Sequence, residues 1–137
     1  MADQMTPTGP TLRTYNSLEE LLLDKDLAAL GDSYVNFVYS LAISQKYGRP
    51  TGTKVNNQVL ASSVQKSGLR EFLPHRVDKH ARGNAAEALL VFAWLQDMQE
   101  FEDCIKVLNN EEDLTQAFAT LLHDVLEKLG VQNDRKK

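Results

Sequence analysis

Two acidic side chains sit where acids are expensive to bury. The stretch LAALGDSYVNFVYSLAISQKYG, Leu27 to Gly48, is apolar or small almost throughout but holds Asp32 near its start, and the apolar stretch GNAAEALLVFAWL holds Glu87. An ionised carboxylate withdrawn from water must be paired, hydrogen-bonded or bound to a metal. On a helix His80, Asn84 and Glu87 form one polar line, and Asp32, Asn36 and Ser40 form another. If the two lines face each other, Asp32 and Glu87 meet, and such a pair needs a cation between them or a retained proton. Hard oxygen ligands with no soft partner suit Mg2+ or Mn2+, which activates water for phosphodiester hydrolysis. Two plainer readings stand beside this one. Gly31-Asp32-Ser33 has the make-up of a helix N-cap, and Glu87 has Arg76, Lys79 and Arg82 near it in sequence as ion-pair partners.

The elements that must position these acids are all helical, with no convincing strand. SLEELLLDKD opens with Ser17 and has Glu20 three residues on, a capping-box pattern ahead of a leucine run. A central helix is expected from about Asp32 to Gly48, with Pro50 just beyond it. KVNNQVLASSVQKSG is expected as the next helix, stopped by Gly68. LREFLPHRVDKHARG, broken by Pro74, reads as an irregular basic connector. NAAEALLVFAWLQDM is apolar nearly all round and is expected to be buried. Asp97–Asn110 and Glu112–Gly130 read as amphipathic helices. The organisation expected is a flexible segment over 1–16, one helical domain over 17–130, and a frayed tail over 131–137.

Composition bounds the rest. The chain has 137 residues, enough for one domain with its own core. Its lone cysteine, Cys104, excludes an intrachain disulfide and a multi-cysteine zinc site, and suits the cytoplasm. The polar N-terminus has no apolar core of a signal peptide, and no stretch has the apolar length for a membrane span. Formal net charge is -4, so the whole molecule is no general polyanion binder. The charge is unevenly spread, however. Lys66 to Arg82 holds five Lys and Arg against two acids, whereas Asp97 to Asp113 holds seven acids against Lys106. Arg76, Lys79, His80 and Arg82 are candidate phosphate contacts, with ordinary loop solvation as the alternative. Lys54, after Gly52, is a further candidate, or else a solvated residue at a helix start. Tyr34, Trp94 and Cys104 fit core packing, and His123 a helix surface.

The order and spacing of these pieces resemble a known family. LAALGDSYVNFVYSLAISQKYG is similar to the helix of the ribonuclease III nuclease domain that contains Leu-Gly-Asp. KVNNQVLASSVQKSGLREFLP resembles the segment that follows it there, and GNAAEALLVFAWL the second catalytic helix. The resemblance implies an all-α, homodimeric endonuclease domain that cleaves double-stranded RNA with Mg2+ (or Mn2+). It further implies that Asp32 and Glu87 are catalytic metal ligands. Two positions depart from the family's usual acids: Ala28 stands where a glutamate precedes the aspartate by four, and Asn84 where an aspartate precedes the glutamate by three. Asn84 retains a carbonyl oxygen as an auxiliary ligand. The Mini-III branch also has a small residue at the first of these positions and an uncharged polar one at the second, and the chain resembles that branch and the small archaeal ribonuclease III-like proteins. Mini-III also lacks a double-stranded-RNA-binding domain, for which this length leaves no room.

Three functions follow as expectations. The first is a metal-dependent endoribonuclease acting on double-stranded or structured RNA, targeted by RNA structure or by a protein partner. The second is a non-catalytic module that binds RNA or a ribonucleoprotein, and the third a helical protein-binding module.

Overall fold

The computed structural model describes residues 12–131, so the expectations for residues 1–11 and 132–137 lie outside the described residues. The order is α1 (Leu18–Leu22), α2 (Lys25–Tyr47), α3 (Asn57–Ser67), a 3-10 turn (Leu69–Phe72), α4 (Lys79–Leu95), α5 (Phe101–Asn110) and α6 (Leu114–Leu129). No strand occurs among the described residues.

Capping chemistry sets the boundaries. Ser17 Oγ accepts from the Glu20 amide at 3.1 Å, while Glu20 Oε1 accepts from the Asn16 amide at 3.0 Å. The capping box therefore forms with its return bond one residue early. The leucine run expected as one helix is divided at Asp24, whose extended backbone and side chain start a new helix by accepting from the Asp26 and Leu27 amides. This carboxylate also accepts from Tyr15 Oη at 2.6 Å and pairs with Arg13 at 2.8 Å. Tyr15, expected in a flexible segment, is buried and meets Phe92 edge-on. The central helix thus begins seven residues before the expected start at Asp32, and runs 23 residues to Gly48, a left-handed C-cap with φ 73°.

Helix α4 is the axis of the core. Ala85 to Ala93 is buried without interruption, and α4 packs on α2, α3, α1 and α6. A run of alanines lets its neighbours approach closely. Leu60 and Val64 of α3 and Phe118, Leu122, Val125 and Leu129 of α6 fill the remaining space, all but fully buried. The stretch expected as an irregular connector is more ordered than that: Leu69–Phe72 is a 3-10 turn and Lys79–Gly83 is the first turn and more of α4, capped by Asp78. His80 and Arg82 therefore stand on the helix that holds Glu87.

Helix α2 is only partly interior. Phe37 is 59% exposed and stacks on Phe101 at 5.5 Å between centroids. Trp94, expected in the core, is 44% exposed and stacks on half-buried Tyr34 at 5.4 Å. Behind them Cys104 is buried, and desolvation pushes its thiol up to about 11. That value keeps it an unreactive thiol at neutral pH. His123 lies exposed on α6 beside Glu127.

Candidate active site

The acids of α2 and α4 meet. The contact depends on a glycine: a Cβ added at Gly31 would run into the backbone carbonyl of Glu87. With only hydrogen at that position, the two helices approach until residue 32 on one stands beside residue 87 on the other. Gly31 is thus interior to α2 and serves the crossing, where a cap was one reading of Gly31-Asp32-Ser33. That cap is absent, because Asp32 follows two turns of established helix.

Asp32 is exposed at the mouth of the site, whereas Glu87 retains 8% exposure. The Glu87 carboxyl is pushed up to about 8, first by burial and then by hydrogen bonding and charge repulsion from Asp32. The pair therefore retains a proton at neutral pH. Among the described residues no ion pair forms to Glu87 from Arg76, Lys79 or Arg82, so the expectation of simple charge neutralisation is not met. One carboxyl of such a pair stays neutral unless a cation displaces the proton.

The space for a cation or substrate is present. Asp32, Asn84 and Glu87 line a cleft of about 520 Å³ together with His80 and Lys25. Asn84 lies one helical turn before Glu87, as its sequence spacing requires. Hard oxygen donors converge from two helices, which fits Mg2+ or Mn2+. The set is small: among the described residues no group of three or more His, Cys, Asp or Glu could hold a metal. Ala28, where a further acid would be expected from the resemblance, lines the same cleft as a buried methyl.

Of the expected RNA contacts, only His80 borders this cleft. Lys79 opens α4 and is exposed, and its backbone carbonyl accepts from Asn57 Nδ2 at 3.4 Å. Arg76 is exposed ahead of α4. Arg82 is half-buried, and its Nε is buried without a hydrogen-bond partner among the described residues. Lys54 is exposed in the loop before α3, two residues ahead of the Asn56 cap and outside the helix.

Other wall residues escaped the sequence reading. Lys25 lies seven residues before Asp32 and was hidden by the late helix start; the available signal was Asp24, an acid two and three residues ahead of the amides it caps. Asn57 lines the cleft where its side chain fills the space left by Gly83. A larger hollow of about 720 Å³ lies along the other end of α2, walled by Phe37, Leu41 and the Gly48–Gly52 turn. Among the described residues Arg49 is its only ionisable wall residue, so it offers no comparable chemistry.

Comparison with known proteins agrees with this architecture. No curated protein matches the chain. A family model described as Ribonuclease III matches residues 25–131, from the first residue of α2 to just past α6. With all six helices but the first inside that match, and Asp32 beside Glu87 at its centre, the chain belongs to the ribonuclease III family.

Proposed function

We propose that this chain is a metal-dependent endoribonuclease that hydrolyses phosphodiester bonds in double-stranded or structured RNA, with Asp32 and Glu87 as catalytic metal ligands and Asn84 as an auxiliary one. The observation that carries the reading is the Asp32–Glu87 pair at a cleft, in a chain of this family. A bound Mg2+ or Mn2+ supplies Lewis-acid polarisation of the phosphodiester and lowers the pKa of the attacking water.

The chain's own residues do the rest. Glu87 is held in a low-dielectric wall, where its charge interacts strongly with any cation in the cleft. Asp32, at the mouth, gives up less hydration to ligate. Arg76, Lys79 and Arg82, at or near the start of α4, would steady the RNA backbone by charge and His80 by hydrogen bonding, with Lys54 adding charge from its loop; duplex RNA is recognised largely by shape and phosphate. An acidic molecule with so short a basic stretch would bind weakly and with a steep dependence on salt. The exposed Phe37 and Trp94 supply an apolar face for homodimerisation, and Cys104 as lone thiol suits a cytoplasmic setting.

The test is cleavage of a duplex RNA in Mg2+ or Mn2+ by the parent, Asp32→Asn and Glu87→Gln. The parent should cut and both variants should lose at least two orders of magnitude in rate. Uncut RNA that is nevertheless bound would support the non-catalytic reading, which the reduced acidic set favours. Cutting that survives both substitutions would defeat the assignment.

A further inference from the structure

Asp32 is held by a neighbour to which the proposed function gives no role. Asn36, one turn later on α2, donates from Nδ2 to Asp32 Oδ1 at 3.1 Å. Its Oδ1 accepts from the Val55 amide at 2.8 Å. The orientation of the amide follows from chemistry, because a backbone N–H requires an acceptor and a carboxylate requires a donor. Val55 itself lines the cleft.

Asn36 is also the first of three anchors. Ser40 Oγ donates to the Thr53 carbonyl at 2.8 Å and accepts from its amide at 2.9 Å. Ser44 Oγ accepts from the Thr51 amide at 2.8 Å, while its hydroxyl is shared between the Ser40 carbonyl at 2.8 Å and the Thr51 carbonyl at 3.2 Å. Residues 51, 53 and 55 therefore run along α2 in register with side chains 44, 40 and 36. Only the Asn36 anchor also touches an acid.

We propose that Asn36 is a positioning residue: it fixes Asp32 for cation binding and ties that carboxylate to the 51–55 loop. The proposal rests on the metal-site reading above. Hydrogen-bond partners of ligating carboxylates typically contribute 10- to 100-fold to metal affinity. Removing Asn36 should therefore weaken the cation before it changes the fold.

The experiment is titration of Mn2+ into the whole chain, with free Mn2+ read by electron paramagnetic resonance and amide exchange followed by NMR. Asn36→Ala should weaken Mn2+ about tenfold and expose the Val55 amide, and excess Mn2+ should restore RNA cleavage. Ser40→Ala should expose the Thr53 amide and leave Mn2+ affinity within about twofold, since it frees the loop without touching Asp32. If Asn36→Ala fails to fold, Asn36→Leu of similar volume takes its place. Equal Mn2+ affinities for the Asn36 and Ser40 variants would overturn the proposal. Mn2+ binding unaffected by Asp32→Asn would instead defeat the metal-site reading, so the two failures are distinct.

Discussion

Gly31 of α2 lies directly under the backbone carbonyl of Glu87 on α4, with no room for a methyl between them. A glycine inside a helix ordinarily costs about 0.5–1 kcal/mol relative to alanine, so a chain keeps one there when it gains something else. Here the gain is the distance between two helix axes, and with it the meeting of Asp32 and Glu87.

Gly31→Ala should therefore destabilise, reversing the sign expected of an exposed helical glycine. The obstructing atom is backbone, which cannot rotate away, so α2 and α4 must separate. Overpacking of this kind costs about 1–3 kcal/mol, and the midpoint of thermal unfolding should fall. A variant as stable as the parent would show that the crossing does not depend on this contact.

The raised Glu87 carboxyl gives a pH dependence in metal-free protein. Its value in the folded chain is about 8 against an ordinary 4.5, so between those limits the folded state holds more protons than the unfolded one. Stability from this group is fully present below the unfolded value and is lost as pH rises through about 8. Urea midpoints measured between pH 5 and 8 in chelator should fall for the parent and stay flatter for Glu87→Gln. Added Mn2+ should flatten the parent's profile too, because the cation displaces the proton. Parallel profiles for parent and variant would locate the pH dependence elsewhere.

Helix identity was legible in the sequence because long apolar runs and capping residues are local signals. Gly48, Gly68 and Gly130 stop helices as their positions suggested, each with positive φ. The acids of the site were legible for a different reason: a carboxylate in an apolar helix is conspicuous. The start of α2 was not legible, because Gly31-Asp32-Ser33 has the local chemistry of a cap and only the approach of α4 explains it otherwise. Lys25 was lost with that boundary. The roles of Asn36, Ser40 and Ser44 depend on a loop that folds back along α2, and no local pattern announces such a return. Trp94 read as core because residue type alone does not distinguish an apolar face that lacks a covering element.

That face yields a third prediction. Phe37 on α2 and Trp94 at the end of α4 are large aromatics exposed by about half, each stacked on another ring. Aromatic residues held rigidly at a surface are typical of the centre of an interface. If the proposed homodimer uses them, Phe37→Glu should shift the chain to monomer in sedimentation at micromolar concentration, with little change in helix content. A dimer unaffected by Phe37→Glu and Trp94→Glu would have its interface on another face.

Restoring an acid at Asn84 tests the electrostatics of the cleft with two readouts of opposite sign. Asn84 and Glu87 are one turn apart on α4, and both line the cleft with Asp32. Asn84→Asp leaves the side chain's shape almost unchanged and adds a second negative charge beside a pair that, retaining a proton, carries one. Without metal, repulsion should lower the unfolding midpoint. With metal, the extra charge should tighten Mn2+ on the order of tenfold, since unit charges about 4 Å apart interact by about 4 kcal/mol at an effective dielectric near 20 and desolvation offsets part of that. Both shifts should be seen in one protein: lower stability in chelator and higher stability in saturating Mn2+. A variant that loses stability in both conditions would mean that residue 84 faces no cation, and the site would then be limited to Asp32 and Glu87.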